Sequence, residues 1–410
     1  STPGYTDVLP KQVHFLMIDK CNAKCIMCGG DYYHSRSGRM ITLESFKQMA
    51  SNLRLDRFNS IVLSGAGDPL LNPWLISILQ HVRTFYPQVA IAITTNGIGL
   101  SPELGQELLV HGIDSINISI NAATPEVYKR VMQVDCFDRV CRNVRAWVHL
   151  KKSLALKTRV QFSMALHRLN IEDLPPLVDL SYEIGVDSIN VMYCRFYPER
   201  IRHLNVDREE DRLQDRESLF FHQELSDQLV QRARERAQQR GIGFSHEPLF
   251  RERAKAQPCQ WPFSEIMVGF NGEVYPCGGA EVHFKEKVEG GHYNFGNVLK
   301  DPIERFWNGE DYRRLRLSCR MNRRGPIPEC ERCANRMNPN DKSAHIMDWD
   351  DPQETPLENK ERKVVPTESR QPTQRPLVSV IVPTYNRPEM LVGAIRSILN
   401  QTYPEVEILV

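Results

Sequence analysis

The sequence predicts an α/β protein built on a parallel sheet. Short apolar stretches alternate with amphipathic stretches from about residue 12 to 195, and turn residues bound each apolar stretch. Several amphipathic stretches begin and end with helix-capping residues. Strand–helix repetition of this kind is typical of a parallel sheet whose functional loops lie at the carboxyl ends of the strands. Six such units predict a partial or full barrel.

The individual elements follow from local signals. The helix after the first strand is predicted from Thr42, a capping residue, and a later helix from Ser101, Pro102 and Gly112, which suit the N-cap, the first turn and the end. The predicted strands are the following stretches: 12–18, 60–65, 89–95, 115–120, 159–166 and 187–192.

Composition changes along the chain predict its domain organisation. The barrel is expected over 1–205, and a charged, largely solvated helical connector over 206–243. A small cysteine-rich α+β domain is expected over 244–340. Residues 341–376 are rich in Pro, Glu, Thr and Gln, which predicts a disordered linker. A new strand begins at Leu377, so 377–410 is a separate fragment.

Charge and cysteine content limit the classes of function. The formal net charge is +1 over 410 residues, which does not favour nucleic acid or an anionic membrane surface as a partner. No apolar run is long enough for a membrane span. The chain opens with a polar segment, and its 11 cysteines are clustered. We therefore expect a cytoplasmic protein whose cysteines serve metal or catalytic sites.

The first cysteine group lies directly after the first strand. Cys21, Cys25 and Cys28 form a C-x-x-x-C-x-x-C motif, and three thiolates suit a 4Fe–4S cluster in which one iron has no protein ligand. A zinc knuckle or buried cysteines are the alternatives. The motif and its placement resemble the radical S-adenosylmethionine (SAM) enzymes. That resemblance implies that SAM chelates the open iron and is cleaved reductively to a 5′-deoxyadenosyl radical.

Three further segments strengthen the resemblance. The loop "SGAGDP" resembles the family's G-G-E-P loop, and "SINISINAATPEVY" resembles its S-x-D-x-x-x-x-x-x-Y segment, although Asp68 and Asn121 replace the more usual Glu and Asp. "TTNG" ends the third predicted strand. An ordinary turn is the alternative for the first and third segments. The resemblance implies that the following residues contact SAM: Met27, Gly65, Ala66, Gly67, Asp68, Asn96, Ser119 and Asn121.

A second cysteine group lies in the cysteine-rich domain. Cys259, Cys277, Cys330 and Cys333 combine a hairpin with a C-x-x-C pair, which can hold a cluster or a tetrahedral metal. The group resembles the SPASM or twitch extension of radical SAM enzymes. No cysteine follows Cys333, so the resemblance implies one fully ligated auxiliary 4Fe–4S cluster. Zinc is the alternative.

The remaining cysteines receive weaker predictions. Cys136 and Cys141 are expected to be buried apolar residues on a helix. Cys319 is expected to be a bystander, with an alternate cluster ligand as the other interpretation. Cys194 follows the sixth predicted strand near the barrel mouth. By resemblance to radical epimerases it is a candidate to return a hydrogen atom to a substrate radical, against the alternative of a core or rim residue.

The last 34 residues resemble the start of inverting GT-A glycosyltransferases. The stretch 377–410 is predicted to be a strand, a loop, an amphipathic helix and a strand, and the turn Pro383 to Asn386 matches the family's P-x-Y-N turn. The later metal-binding and catalytic residues of that family lie beyond Val410. This fragment is therefore not expected to transfer sugars, and its apolar strands are an aggregation liability.

These observations predict a radical SAM enzyme with a partial (β/α)6 barrel of TIM-like type, a SPASM/twitch domain and a truncated βαβ fragment. The enzyme is expected to abstract hydrogen from a small molecule, leading to oxidation, epimerisation or rearrangement. The glycosyltransferase fragment suggests a sugar or glycan-pathway substrate. The expected electron donor is of the flavodoxin or ferredoxin type. Two alternatives stay open: a SPASM maturase that modifies peptides, and a non-catalytic iron–sulfur or zinc protein.

Overall fold

The predicted strand–helix repeats form one sheet of nine strands in the first of the chain's two units, Ser1–Trp349. We describe the protein from a computed structural model. It describes residues 4–29, 38–194, 196, 212–252, 259–277, 293–320, 378–381 and 406–409.

The six predicted strands are all present and parallel, and they are joined by a seventh. Their order along the sheet is β7-β6-β5-β4-β3-β2-β1-β8-β9, so consecutive strands are neighbours from β1 to β7. This arrangement is consistent with a partial TIM-like barrel, which confirms the predicted fold class. The first seven strands, which all run parallel, are β1 (Gln12–Leu16), β2 (Ser60–Ser64), β3 (Ala90–Thr95), β4 (Ser115–Ser119), β5 (Arg159–Leu166), β6 (Ser188–Tyr193) and β7 (Gly243–His246).

Burial explains why these stretches form strands. Ile91 and Ile93 of β3 and Ile116 and Ile118 of β4 are fully buried, whereas the residues between them are only half-buried. β-Branched residues at every second position pack well on a pleated surface. These two strands thus direct one row of side chains into the core and another row toward the less tightly packed face.

Helices lie between the parallel strands, and their ends follow the predicted signals. Thr42 and Ser45 form a reciprocal capping box, and Ser101 caps a helix that begins at Pro102. The helices between strands are α1 (Leu43–Leu53), α2 (Leu75–Phe85), α3 (Pro102–Val110), α4 (Pro125–Met132), α5 (Phe137–Ser153), α6 (Leu174–Ile184) and α7 (Gln223–Arg240).

The stretch predicted as a charged connector, 206–243, contains α7 and leads into β7. Val230, Ala233 and Ala237 of α7 are buried, and Arg236 and Arg240 pair with Asp179 of α6. The buried row at helical spacing packs the helix on its neighbour, while the other side stays charged. The described part of this stretch therefore extends the strand–helix repeat.

The cysteine-rich domain adds a hairpin at the other edge of the sheet. A short helix, α8 (Trp261–Ser264), leads into β8 (Glu265–Val268), which pairs in parallel with β1 and antiparallel with β9 (Val274–Tyr275). His14 of β1 and Glu265 of β8 lie 2.9 Å apart. A further helix, α9 (Glu310–Arg320), packs on α8.

The second unit, Asp350–Val410, has two described strands, β10 (Val378–Ile381) and β11 (Val406–Leu409). They pair in parallel, as predicted for the ends of a strand–helix–strand fragment. The predicted helix between them and the predicted linker lie outside the described residues. Within the described parts of the whole chain, no helix is long and apolar enough to cross a membrane.

Candidate active site

The first cysteine group lies on a loop that leaves the carboxyl end of β1. Lys24 N donates to Met132 O at 3.2 Å and Ile26 N donates to Val131 O at 3.0 Å, so the loop is bonded to the end of α4. Cys28 N closes a turn on Cys25 O at 3.0 Å. Ile26 is fully buried. These bonds fix the loop at the edge of the sheet where a (β/α) fold carries its functional residues.

The three cysteines are neither fully exposed nor fully buried. Cys21, Cys25 and Cys28 are all half-buried, as is Met27, the predicted adenine contact. Cys25 Sγ lies 3.5 Å from Met132 Sδ. The loop therefore presents its thiols at a partly sheltered surface.

The predicted G-G-E-P-like loop lies against the stretch that precedes Cys21. Gly67 N donates to Ile18 O at 2.8 Å and Asp68 N donates to Lys20 O at 2.9 Å, which continues the β1–β2 pairing beyond the strands. A Cβ on Gly67 would lie 2.0 Å from Lys20 O. Glycine is required here because no side chain fits between the two backbones.

Two residues earlier in the same loop are more exposed to solvent than Asp68. Gly65, with φ +156, is exposed, and Ala66 is half-buried. Their backbone is therefore accessible beside the cysteine loop, where the resemblance places the amino acid part of SAM.

The carboxylate of Asp68, a predicted SAM contact, accepts hydrogen bonds from within the protein. It is 2 % exposed and accepts hydrogen bonds from Asn96 N at 2.7 Å and Leu70 N at 3.0 Å. Thr95 Oγ1 lies 2.9 and 2.8 Å from its two oxygens. Burial raises the pKa of Asp68, whereas these donors lower it. The side chain ties the ends of β2 and β3 together.

Asn96, at the end of β3, lies beside the cysteine loop. Its Nδ2 donates to Asn22 Oδ1 at 2.7 Å and lies 3.6 Å from Cys21 Sγ. Its Oδ1 accepts from Ile98 N at 2.9 Å. The structure thus brings the predicted residue to a predicted cluster ligand.

The predicted contacts at the end of β4 have different surroundings. Ser119 is half-buried, and its Oγ lies 3.3 Å from Ser163 Oγ. Asn121 is buried with φ +57; its Oδ1 accepts from Ala165 N at 2.9 Å, and its Nδ2 lies 3.3 Å from Met132 Sδ. The side chain of Asn121 thus joins β4, β5 and α4, and only Ser119 keeps a partly accessible polar group.

Tyr128, the last residue of the predicted S-x-D-x-x-x-x-x-x-Y segment, is buried on α4. Its ring packs on Phe137, and its hydroxyl has no hydrogen-bond partner within the described part of the chain. Burial raises the pKa of Tyr128, and the charge of a Cys25 thiolate raises it further. The phenol therefore stays neutral beneath the cysteine loop.

The donor set suits a cluster better than a single ion. Within the described residues, no three His, Cys, Asp or Glu side chains meet closely enough to hold one metal ion. A 4Fe–4S cluster takes each thiolate on a different iron, so its ligands need not converge on one point. Three half-buried thiols and no carboxylate on the loop fit such a cluster, and soft thiolates are the ligands that iron–sulfur clusters require.

The second cysteine group is only partly described. Cys259 and Cys277 are both half-buried, and they flank α8 and the β8–β9 hairpin. Cys330 and Cys333 lie outside the described residues. The structure therefore places two of the four predicted auxiliary ligands at the two ends of one hairpin unit.

Arg316 of α9 supports the base of this unit. It is fully buried, and it donates to the carbonyls of Pro262 at 2.9 Å, Gly4 at 3.3 Å and Trp307 at 2.7 Å. Its guanidinium stacks 4.2 Å from the ring centre of Trp307. Burial lowers its pKa to about 10, so it remains a cation at neutral pH.

The remaining cysteines lie outside the two predicted ligand groups. Cys141 is buried on α5, where burial raises its pKa to about 11, whereas Cys136 at the helix start is half-buried. Cys319 is buried on α9. Cys194 is half-buried just beyond β6, and its N–H donates to Leu166 O at 2.9 Å. Its position at the carboxyl edge is the one predicted, and its role as a hydrogen donor stays a prediction.

A groove of about 530 Å³ lies at the carboxyl ends of the strands, along α4 and the turns after β5 and β6. Glu172 pairs with Arg168 at 2.9 Å, and Asp173 accepts the backbone N–H groups of Ala123 and Thr124. Within the described residues, Arg130 and Arg216 form no ion pair. Three arginines and three carboxylates line the groove, so its formal charges balance: Arg130, Arg168, Arg216, Glu172, Asp173 and Glu217.

Sequence reasoning missed three residues that build the site: Thr95, Met132 and Asn22. Thr95 precedes Asn96 in the "TTNG" segment, and its strand-end position is a signal that could have found it. Met132 and Asn22 contact the site only through pairing of distant segments, which no local pattern reports.

Comparison with family models agrees with this architecture. Residues 15–181 match the radical SAM superfamily, and residues 259–334 match the iron–sulfur cluster-binding SPASM domain. Residues 379–410 match glycosyl transferase family 2. The two larger matches imply 4Fe–4S clusters and SAM as cofactors.

Curated relatives match the barrel part of the chain. A probable GTP 3′,8-cyclase of Saccharolobus solfataricus is 29% identical over 178 residues, which are 42% of this chain and 53% of that protein. A protein of the same description from Methanocaldococcus jannaschii is 25% identical over 175 residues, which are 43% of this chain and 56% of that protein. The chain thus spans about half the length of the curated relatives it matches.

Solved structures share the fold. Streptococcus suis SuiB bound to S-adenosylmethionine superposes with a TM-score of 0.59 at 15% identity, covering 75% of this chain and 68% of that chain. Native anSMEcpe with bound AdoMet superposes with a TM-score of 0.54 at 15% identity, covering 74% and 82%. At this identity the likeness extends to the fold alone.

Proposed function

We propose that this chain, a radical SAM enzyme with an iron–sulfur cluster-binding SPASM domain, cleaves SAM reductively and abstracts a hydrogen atom from a sugar or glycan-pathway substrate. One observation carries the proposal. The loop with Cys21, Cys25 and Cys28 is bonded to α4 and to the turn after β2, so it holds three thiols at the carboxyl edge of the parallel sheet.

Residues of this chain hold the cofactors in the proposal. Cys21, Cys25 and Cys28 bind the first cluster, which leaves one iron for SAM, and the bound cluster supplies the electron that converts SAM to a 5′-deoxyadenosyl radical. The half-buried Met27 and Ser119 and the accessible backbone of Gly65 and Ala66 surround SAM in the proposal, and Gly67 allows the loop to approach the cysteine stretch. Asp68 and Asn121 act as positioning residues, because their side chains bond within the protein.

The second cysteine group serves electron transfer in the proposal. Cys259, Cys277, Cys330 and Cys333 would hold the auxiliary cluster, which would serve as acceptor or relay for an electron from the substrate radical. A flavodoxin or ferredoxin supplies the first electron. The reducing, cytoplasmic location stays a prediction from the clustered cysteines.

The substrate class rests on neighbouring features of the chain. The match of residues 379–410 to glycosyl transferase family 2 supports a sugar. Arg130 and Arg216 line the groove and form no ion pair within the described residues, so they could donate hydrogen bonds to the phosphates of a sugar nucleotide. A relative's description as a GTP 3′,8-cyclase names a nucleotide as well, which agrees with this class.

A peptide is the second candidate substrate. SuiB has been solved bound to its precursor peptide SuiA, and it shares this fold with a TM-score of 0.56 at 14% identity. Fold alone does not transfer a substrate. The carboxyl-edge thiol of Cys194 would serve as hydrogen donor for either substrate.

The test is anaerobic reconstitution followed by reduction with dithionite and chromatography for 5′-deoxyadenosine. The parent should form 5′-deoxyadenosine. A variant with Cys21, Cys25 and Cys28 all replaced by Ala should form it at least ~100-fold more slowly, because it lacks the thiolates that hold the first cluster. A variant with Cys136 and Cys141 replaced by Ala is the matched control, because both cysteines lie outside the two predicted ligand groups, and it should keep the parent's rate.

The outcomes separate the candidates. Formation of 5′-deoxyadenosine that increases with a sugar nucleotide, and not with peptides, supports the proposal. Stimulation by peptides alone would favour a maturase. A parent that binds iron but forms no 5′-deoxyadenosine would be a non-catalytic cluster protein, and the proposal would be wrong.

A further inference from the structure

Asn96 holds its side-chain amide in a fixed direction. The residue is 7 % exposed, and its backbone N–H donates to Asp68 Oδ2 at 2.7 Å. Its Oδ1 accepts the backbone N–H of Ile98 at 2.9 Å. Since an amide oxygen must face that donor, the NH₂ group is the end that points toward the cysteine loop.

The NH₂ group meets two acceptors on that loop. Nδ2 donates to Asn22 Oδ1 at 2.7 Å, which uses one of its two hydrogens, and it lies 3.6 Å from Cys21 Sγ. The second hydrogen is therefore available for the sulfur. The contact at Cys25 is of another kind, because Met132 Sδ at 3.5 Å has no hydrogen to donate.

Hydrogen bonds to cysteine sulfurs are among the features that set the reduction potential of an iron–sulfur cluster. Adding an electron makes the cluster and its thiolates more negative, and an N–H donor stabilises that added charge. A donor on one ligand therefore favours the reduced cluster over the oxidised one.

We propose that the Asn96 amide donates a hydrogen bond to the Cys21 sulfur and thereby raises the reduction potential of the cluster on Cys21, Cys25 and Cys28. This inference rests on the proposed function, since it requires a cluster on that loop. Asn96 is a positioning residue in this account, acting on the cluster through Cys21. The donor makes the one-electron reduction that precedes SAM cleavage easier for a protein or chemical reductant.

The experiment is a redox titration of the reconstituted holoenzyme with dithionite, followed by electron paramagnetic resonance. Adding SAM changes the signal of the cluster that has an open iron, which distinguishes it from the auxiliary cluster. Three variants are compared with the parent: Asn96→Ala, Asn96→Asp and Asn22→Ala. Iron and sulfide are counted in each so that only fully loaded samples are titrated.

Asn96→Ala removes the donor. We expect the equilibrium constant for one-electron reduction of its cluster to fall about tenfold, which corresponds to a reduction potential 59 mV more negative. Asn96→Asp keeps the acceptor for Ile98 N but replaces the donor by a charged oxygen, so its shift should be at least as large. Asn22→Ala is the matched control, because it alters the same loop and leaves the donor to Cys21, and its potential should not fall.

The readout separates the possible failures. If Asn96→Ala and Asn96→Asp load fully and keep the parent's potential, the inference is wrong, even while the parent still forms 5′-deoxyadenosine. If Asn96→Ala does not take up its full iron and sulfide, the reduction potential of Asn96→Asp decides whether the inference holds. If Asn22→Ala shifts as far as the Asn96 variants, a general loosening of the loop explains the shift and the inference is overturned. A parent that shows the Asn96 effect but does not cleave SAM would overturn the proposed function alone.

Discussion

The two cysteine groups are held by different means, although both depend on β1. The first follows β1 on a loop fixed by main-chain bonds, with Gly67 packed against the backbone of Lys20. The second flanks a hairpin whose strand β8 pairs with β1, and a buried side chain, Arg316, braces its base. Backbone contact fixes one region and a buried cation fixes the other.

This difference implies that the two regions can be disturbed separately. A change that pushes two backbones apart should release the first group and spare the second. A change that removes the buried cation should do the reverse. Since each group is proposed to hold its own cluster, iron content and SAM cleavage report the two regions independently.

The largest effect is expected for Arg316→Met. The side chain bonds three backbone carbonyls, of Gly4, Pro262 and Trp307, and their loss leaves buried acceptors without donors. The free energy of unfolding should fall by about 3 kcal/mol, measured by urea denaturation. About half of the iron should be lost while SAM cleavage is retained. Arg314→Met is the control, because that side chain is 43% exposed. Loss of SAM cleavage instead would contradict the separation.

Gly67→Ala should disturb the first region. A Cβ there would lie 2.0 Å from Lys20 O, so the loop must move away from the cysteine stretch. We expect a loss of about 1–3 kcal/mol in the free energy of unfolding and a loss of SAM cleavage with the auxiliary cluster kept. Gly99→Ala is the matched control, since its Cβ would lie 3.4 Å from Leu70 Cβ. Equal behaviour of the two variants would refute the close-contact argument.

Acid should destabilise the barrel through His167, at the carboxyl end of β5. Burial lowers its pKa from 6.5 to about 3, so the folded state keeps it neutral while the unfolded chain takes up a proton. The stability of the apoprotein should therefore fall as pH drops from 6.5 toward 3, by up to about 1.4 kcal/mol per pH unit. His167→Asn should flatten that slope, and His149→Asn, on the exposed side of α5, should not. An unchanged slope in His167→Asn would contradict the prediction.

The smallest effect is expected for the link between the regions. His14 and Glu265 lie 2.9 Å apart across β1 and β8, but their side chains are 17% and 25% exposed. Because solvent screens such a pair, Glu265→Gln should lower the free energy of unfolding by less than about 1 kcal/mol. Both clusters should load fully, as judged by iron content. Loss of either cluster would show that the pair holds the hairpin on the sheet.

The sequence predicted the parts of the molecule that local signals determine. The six strands, the capping residues Thr42 and Ser101, and the position of Cys21, Cys25 and Cys28 all depend on neighbours in the chain. Apolar periodicity and capping chemistry act over one or two turns, so they are visible in the sequence.

Features set by distant contacts were not predictable. The parallel pairing of β8 with β1 joins segments about 250 residues apart, and no periodicity reports it. The inward bonding of Asp68 and Asn121 depends on Thr95, Leu70 and Ala165, which only the fold brings near. The seventh strand, Gly243–His246, follows a helix whose charge hid its buried row.

The most direct test of the two-cluster account is a count of iron and acid-labile sulfide per chain after anaerobic reconstitution. The parent and the variant with Cys21, Cys25 and Cys28 replaced by Ala are compared. The account predicts about eight irons in the parent and about four in the variant. About four irons in the parent and almost none in the variant would mean that Cys259, Cys277, Cys330 and Cys333 hold no cluster, which would contradict the account.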